Sequence, residues 1–448
     1  MNTLVNTHSN NRKSLLVFLL ILVGIFLNIR LQAQVWTLQQ CLDTAQHQNK
    51  NLLIAKNNNE ISQQKIKEAK ANLIPKLSIN ADYKYFIDLP YQFMPQSAFG
   101  GPEGQFKQVQ FGVPHNINAN LQLSMPLYNP QVYGAIQTTK IASELTQLQY
   151  QKTEEQILYE ITNLYYNAQI LNYQVAFIDE NLINASKLLR NIQLLKEQLL
   201  AKETDVSKIQ LQIEQLTTQR EQVYSKYTQV LNALKITIGI HLDQNLEVET
   251  SIIPSSINEY TETSTLDFRL ITKRNLLLNS ELHTLKNSRL PSLSLYGSYG
   301  QTGFGYDKTP NDFLKFYPVS FAGIQFSYPL FNGTTTSRKL NQKKLELSNN
   351  DLQLSLLNDQ TSLGIETAKQ QRSVAERSVK TTLDQTKLAQ SIYDQTLLQQ
   401  NQGLASLNDV LMADNTLRET QQQHISAIVD YLKADLDLRK TTGNLLNK

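Results

Sequence analysis

The chain has 448 residues, 18% of them charged, with one cysteine and a formal net charge of +3. Arg12, Lys13 and Arg30 supply that excess and residues 1–33 hold no acid, so the remainder is neutral and gives no electrostatic case for nucleic acid or another polyanion. Cys41 stands alone, which excludes an intrachain disulfide.

Arg12 and Lys13 precede an apolar run of 13 residues from Leu15 to Leu27, and Leu31-Gln32-Ala33 follows. That order reads as a secretory signal peptide over 1–33, with a mature chain from Gln34. The run is too short for a spanning helix, which takes about 20 apolar residues. Cys41 lies behind Leu38-Gln39-Gln40, which is no lipidation box, and reads as a small buried residue on an early helix.

In chain order the pattern predicts a helix near 37–72, then two alternating strands around a loop at Asp88–Pro114. Leu77, Ile79, Ala81, Tyr83 and Tyr85 alternate with polar residues, as do Ile117, Ala119, Leu121, Leu123 and Met125. A helix near 130–199 follows, with an apolar heptad through Ile157, Ile161, Leu164, Ala168, Leu171, Val175, Ile178, Leu182, Ala185, Leu189, Ile192 and Leu199, interrupted only by Lys196. The pair Glu154-Glu155 on it reads as a solvated face. After a turn at Leu200–Thr204 a helix returns over 205–238. A segment at 241–263, with a short strand at Leu246 and Val248, joins the halves. The second half predicts helices near 264–288, 334–402 and 407–441, weaker strands at Leu293–Tyr299 and Ile324–Leu330, a glycine-bearing loop at Gly300–Phe316 and a turn at Gly403–Ser406.

The chain is thus written twice, as repeats over 34–240 and 264–448 around a linker at 241–263. Leu200-Ala201 recurs as Leu404-Ala405, Asp205-Val206 as Asp409-Val410, and Thr237 with Gly239 as Thr441 with Gly443, while Pro126-Leu127-Tyr128-Asn129 recurs as Pro329-Leu330-Phe331-Asn332. The class is mainly α with a small β part. A tilted strand of about 9–11 residues crosses a bilayer, and the alternation fits a strand with one face in lipid and one in water. Four strands cannot close a barrel, so copies of the chain must share one.

The double repeat, the four strands, the long helices, Trp36-Thr37-Leu38 at the first helix, the Pro-Leu-aromatic-Asn strand exits, and Gly403-Leu404 with Asp409-Val410-Leu411 together resemble the TolC-like outer membrane efflux protein family. The resemblance implies a homotrimer with a 12-stranded outer-membrane β-barrel continued by a periplasmic α-helical barrel. It also implies a periplasmic adaptor protein and an inner-membrane pump of the RND or ABC type as partners. The family narrows its pore with acids spaced Asp-x-x-Asp: Asp409 fits the first place and Met412 occupies the second. Asp205 matches an acid that the family links to a basic residue of the second turn, where Ala405 stands here. The turns, with Leu200, Ala201, Gly403, Leu404 and Ala405, would dock the adaptor.

The six histidines are scattered, with no pair at metal-ligand spacing, and no phosphate loop, nucleophile elbow or metalloprotease signature occurs. The expectation is a non-enzymatic, cofactor-free conduit in the outer membrane, reaching into the periplasm. The alternatives are the outer-membrane duct of a type I protein or peptide secretion system and a secreted coiled-coil scaffold. The scaffold has no use for lipid-facing Leu and Tyr on the strands.

Overall fold

The computed structural model describes residues 35–249, 260–306 and 315–446. The signal-peptide reading at 1–33 and parts of the 241–263 and 300–316 segments lie outside them. The elements are β1 (Val35–Trp36), α1 (Leu38–Gln48), α2 (Lys50–Ala71), β2 (Lys76–Tyr85), β3 (Tyr91–Pro95), β4 (Phe106–Gln110), β5 (His115–Tyr128), α3 (Pro130–Glu197), α4 (Glu203–Ile238), β6 (Glu247–Val248), α5 (Leu266–Asn287), β7 (Ser292–Gly305), β8 (Lys315–Ser327), α6 (Thr335–Asn401) and α7 (Leu407–Thr441). Two compact units form, each drawing on both halves of the sequence: one from 56–151 and 266–359, the other from the remaining described residues. No described helix is long and apolar enough to cross a membrane.

The first unit holds an antiparallel sheet in the order β2-β5-β7-β8. Its register places Leu77 beside Leu123, Ile79 beside Leu121 and Tyr83 beside Ile117. Leu295 and Ile324 continue the same face through β7 and β8. This apolar face is bare: Ile79 is 79% and Ile324 63% exposed. On the opposite face Asn80 Nδ2 donates to Gln122 Oε1 at 2.9 Å, Asn118 Nδ2 to Asp82 Oδ2 at 3.3 Å, and the Thr302 hydroxyl to Asn118 Oδ1 at 3.0 Å. The strands have 10, 14, 14 and 13 residues, enough to traverse a bilayer when tilted. Among the described residues, β2 and β8 each keep one edge without a partner strand.

Two expectations for this unit change. Gly300, Gly303 and Gly305 belong to β7, not to a loop. A Cβ at Gly300 would lie 2.2 Å from the Ala119 carbonyl oxygen, so the glycine there serves close strand approach. The long first loop also contains a hairpin, β3 paired with β4, with a 3-10 turn at Gln96–Phe99 between them.

In the second unit the heptad packs as its period requires as far as Ile192; Leu199, expected to be its last member, lies beyond the helix end and is 93% exposed. Ile157, Ile161 and Ala168 join Cys41, Ala45, Leu234 and Ile238 in one core, which includes the parallel β1-β6 pair. Burial pushes the Cys41 thiol up to about 12. Farther along α3, Ile178 and Ala185 pack with Leu216 of α4. A second set of buried groups ties α6 to α7: Arg372 meets Asp435 at 2.8 Å and lies over the rings of Tyr260 and Tyr431, while the Tyr260 hydroxyl donates to Asp435 at 2.8 Å. Arg372 thereby keeps its charge partnered in an apolar setting.

The single helix expected near 37–72 is broken at Asn49. Its backbone N–H ends α1 on Ala45, its Oδ1 accepts the Leu52 N–H at 2.9 Å to cap α2, and its Nδ2 donates to the Thr237 carbonyl at 2.5 Å. Asn49 is 3% exposed and fully used. Glu155 is also corrected: it is buried and paired with Lys152 at 2.9 Å rather than solvated.

The break and the end of α4 are fitted together at Gly239. Its φ is +89°, and a Cβ there would meet the Gln48 carbonyl oxygen at 2.4 Å. Gly239→Ala is expected to destabilise this unit by about 1–3 kcal/mol. Gly364→Ala, mid-helix with its nearest contact at 4.0 Å, should stabilise by about 0.5–1 kcal/mol. Thermal unfolding of the two variants followed by circular dichroism checks the opposite signs.

Candidate functional site

The two turns joining α3 to α4 and α6 to α7 are built on one plan. Leu199 N–H bonds to Lys196 O and Leu200 N–H to Leu195 O; in the second turn Gly403 N–H bonds to Gln400 O and Leu404 N–H to Gln399 O. Each is a Schellman motif, which satisfies the last helical carbonyls and needs one residue in the left-handed region. Gly403 supplies it with φ 74°, whereas the first turn forces Leu199 there with φ 60°, a conformation about 1–2 kcal/mol above the right-handed one for an L-residue. The turns leave Leu199, Leu200 and Leu404 at 93%, 73% and 77% exposure.

Both acids singled out from the repeat occupy the third position of the following helix. Asp409 Oδ2 accepts the Ser406 N–H at 2.8 Å and the Ser406 hydroxyl at 2.7 Å, while Ser406 Oγ accepts the Asp409 N–H at 3.3 Å. This closed capping box holds the Asp409 carboxyl below the usual carboxylate range. Asp205 Oδ2 accepts the Lys202 N–H at 3.1 Å in the same way. Met412 lies one turn beyond Asp409, 69% exposed. Ala201 packs inward with Ile192, Val206 and Ile209, and Leu407, the first residue of α7, packs against that cluster. Ala405 is half-buried. The structure therefore brings Ala201 of the first turn and Leu407 at the start of α7 onto one apolar cluster.

Polar links absent from the sequence reading reinforce that contact. Lys208 Nζ donates to Asn408 Oδ1 at 2.8 Å, and Gln212 Nε2 to Asp414 Oδ2 at 2.8 Å. Asp414 also pairs with Arg418 one turn along α7. Burial pushes the Asp414 carboxyl up, against the pull of Arg418. The Asp414–Arg418 spacing was the only local signal of this cluster; Gln212 lies 202 residues from its partner. Among the described residues no group of His, Cys, Asp or Glu is arranged to hold a metal ion.

Residues 280–444 match the family described as outer membrane efflux protein. The chain is 20% identical over 443 residues to outer membrane protein TolC of Salmonella enteritidis and 23% identical over 467 to that of Escherichia coli K12, covering 95% of this chain and 86% of each relative. In fold it is similar to the outer membrane protein VceC of Vibrio cholerae, with TM-score 0.71 at 16% identity over 91% of this chain and 96% of that one. It is likewise similar to the open-state MtrE outer membrane channel of Neisseria gonorrhoeae, with TM-score 0.70 at 16% identity over 91% and 89%.

The Asp409 cap carries a pH signature. A carboxyl held below its unfolded value stabilises the fold fully above that unfolded value, about 3.9, and loses the contribution as pH falls through the folded one. Amide exchange at Asp409 and Val410 should show protection by the cap unchanged from pH 7 to about 5 and failing below about 4, with Asp409→Asn abolishing that acid step.

Proposed function

We propose that this chain belongs to the TolC-like outer membrane efflux proteins and that three copies of it form the outer-membrane duct of a tripartite exporter, working with a periplasmic adaptor and an inner-membrane pump of the RND or ABC type. The open four-stranded sheet carries the trimer reading. Its apolar face suits lipid, its polar face suits water, and its two free edges cannot stay unpaired in a bilayer, where each unsatisfied backbone group costs several kcal/mol. Pairing β2 of one copy with β8 of the next removes every edge, and three copies supply twelve strands. The reading includes a cleaved signal peptide at 1–33 and two repeats, 34–240 and 264–448, about the linker at 241–263.

The turns supply the periplasmic end of this reading. Asp409, Met412 and Asp205 form the constriction, with a single acidic ring from Asp409 where the family has two. Because Ala405 cannot make the family's link to Asp205, Lys208–Asn408 and Gln212–Asp414 take over the tethering of the two hairpins. Leu200, Ala201, Gly403, Leu404 and Ala405 form the adaptor-docking tip, supported by the exposed Leu200 and Leu404 side chains. The duct is passive: the pump supplies the energy.

Cell fractionation tests the whole. The protein should sediment with the outer membrane and run as a trimer in mild detergent; a soluble monomer would overturn the proposal. At the turns, Asp409→Ala should raise single-channel conductance or weaken cation block, and cysteines at Leu200 or Leu404 should crosslink to an adaptor in cells. Unchanged currents would remove Asp409 from the constriction, and a trimer giving no adduct would remove the docking role.

A further inference from the structure

The polar face of the sheet is not uniformly polar. Across β2, β5 and β7 it presents Asn80, Asp82, Asn118, Asn120, Gln122 and Thr302, bonded in part to one another. On β8 the same face changes character. The register sets Tyr317 beside Thr302, Val319 beside Gly300 and Phe321 beside Ser298, so these three apolar side chains lie on the face that carries the amides. They are 45–53% exposed. Rings on β7 flank them: Tyr296 meets Phe321 edge-on with centroids 6.1 Å apart, and Phe304 meets Tyr317 at the same separation. The result is an aromatic stripe from the helix-bearing end of the sheet towards its loop end.

The stripe ends in a cavity of about 520 Å³, walled by Phe86, Phe111, Phe304 and Tyr306, with Gln110 and Asn116 as its polar members. Asn116 pairs with Phe304 across the β5-β7 ladder and so stands on the same face as the stripe. Its Oδ1 is buried without a hydrogen-bond partner, as is the Oδ1 of Asn120, four residues further along that face. A buried amide oxygen with no donor is destabilising, and a ligand that brings a donor gains from it. The volume falls in the range of sites for small organic molecules.

We propose that this face is a binding track for small, uncharged aromatic molecules that carry an N–H or O–H donor, with rings stacking along Phe321, Tyr317 and Phe304 and the donor bonding to the free oxygens of Asn116 or Asn120. This rests on the channel reading, which puts the face in the lumen, and gives that channel a preferred cargo class. Because the stripe lies on β8, at the edge of the sheet, each copy in a closed ring contributes one track between stretches of amide-lined wall. A molecule would meet successive weak sites rather than one deep well, which permits release at the loop end.

N-phenyl-1-naphthylamine, an aromatic amine whose fluorescence rises in apolar surroundings, tests this with the full trimer in lipid nanodiscs, empty nanodiscs being subtracted. A saturable component is expected for the natural protein and for Tyr299→Ala, whose side chain lies on the opposite face. Binding should weaken about tenfold in Phe304→Ala/Tyr317→Ala, from loss of two ring contacts, and about fivefold in Asn116→Ala, from loss of one hydrogen bond. 1-Phenylnaphthalene, which has the rings without the N–H, should compete about fivefold more weakly than the amine. Variants are compared only as intact trimers, and ion conductance of each preparation is measured in parallel. A conducting trimer with no saturable component, or with equal binding in all variants, overturns the track and leaves the channel standing. A trimer that does not conduct overturns the channel reading and the track with it.

Discussion

The free edges of β2 and β8 govern much of this structure. An unpaired strand edge is tolerable in water, where solvent bonds to it, and untenable in hydrocarbon. On the proposed reading the apolar face built by Leu77, Ile79, Leu121, Leu123 and Ile324 sits in hydrocarbon, and the edges are closed by other copies of the chain. On that reading a single copy is an incomplete object. Its exposed Leu, Ile, Phe and Tyr side chains are a surface awaiting lipid rather than a defect of packing.

The helical unit meets a different constraint. Long helices gain little from local propensity and are held by side-by-side packing. α3 and α4 therefore carry a seam of Ile, Leu and Ala, and buried polar clusters add fixed points elsewhere in the unit: Asn49 with Thr237 of α4, Arg372 of α6 with Asp435 of α7 and Tyr260, and Asp414 and Arg418 of α7 with Gln212 of α4. Each cluster fixes a helix against one partner at one height, which an apolar seam alone specifies weakly. The turns complete the pattern by capping their own helices, so the exposed leucines are presented on a rigid frame.

What could be read from the sequence follows the range of the interactions. The heptad and strand alternation are local periods, and the buried Ile157, Ile161, Ala168, Ile178, Ala185 and Ile192 fall where the period puts them. The turns were legible because Ser406 and Asp409, or Gly403, act within a few residues. The break at Asn49 was hidden because 46–51 is a polar run without glycine or proline, and its cause lies 188 residues away at Thr237. Gly300 was misread because glycine marks both a loop and a close strand approach, and only Ala119 on the neighbouring strand decides between them. Glu155 was read as solvated because burial depends on neighbours outside its helix. The aromatic stripe escaped for a related reason: Tyr317, Val319 and Phe321 declare their face only once β8 is registered against β7.

Closure of the sheet between copies is the central claim, and disulfide trapping reaches it most directly. Cys41 is buried and its thiol is pushed up to about 12, so introduced cysteines can be followed without removing it. One cysteine is fixed at Asn80 in β2 and a second is moved singly from Phe316 to Phe326 along β8, and oxidation is carried out in intact outer membranes. Within one chain these strands lie on opposite edges of the sheet, so a bond between them joins two copies. Covalent oligomers ending at three copies, confined to a few neighbouring β8 positions, are the result expected. Monomers at every β8 position, from protein located in the outer membrane, would contradict it.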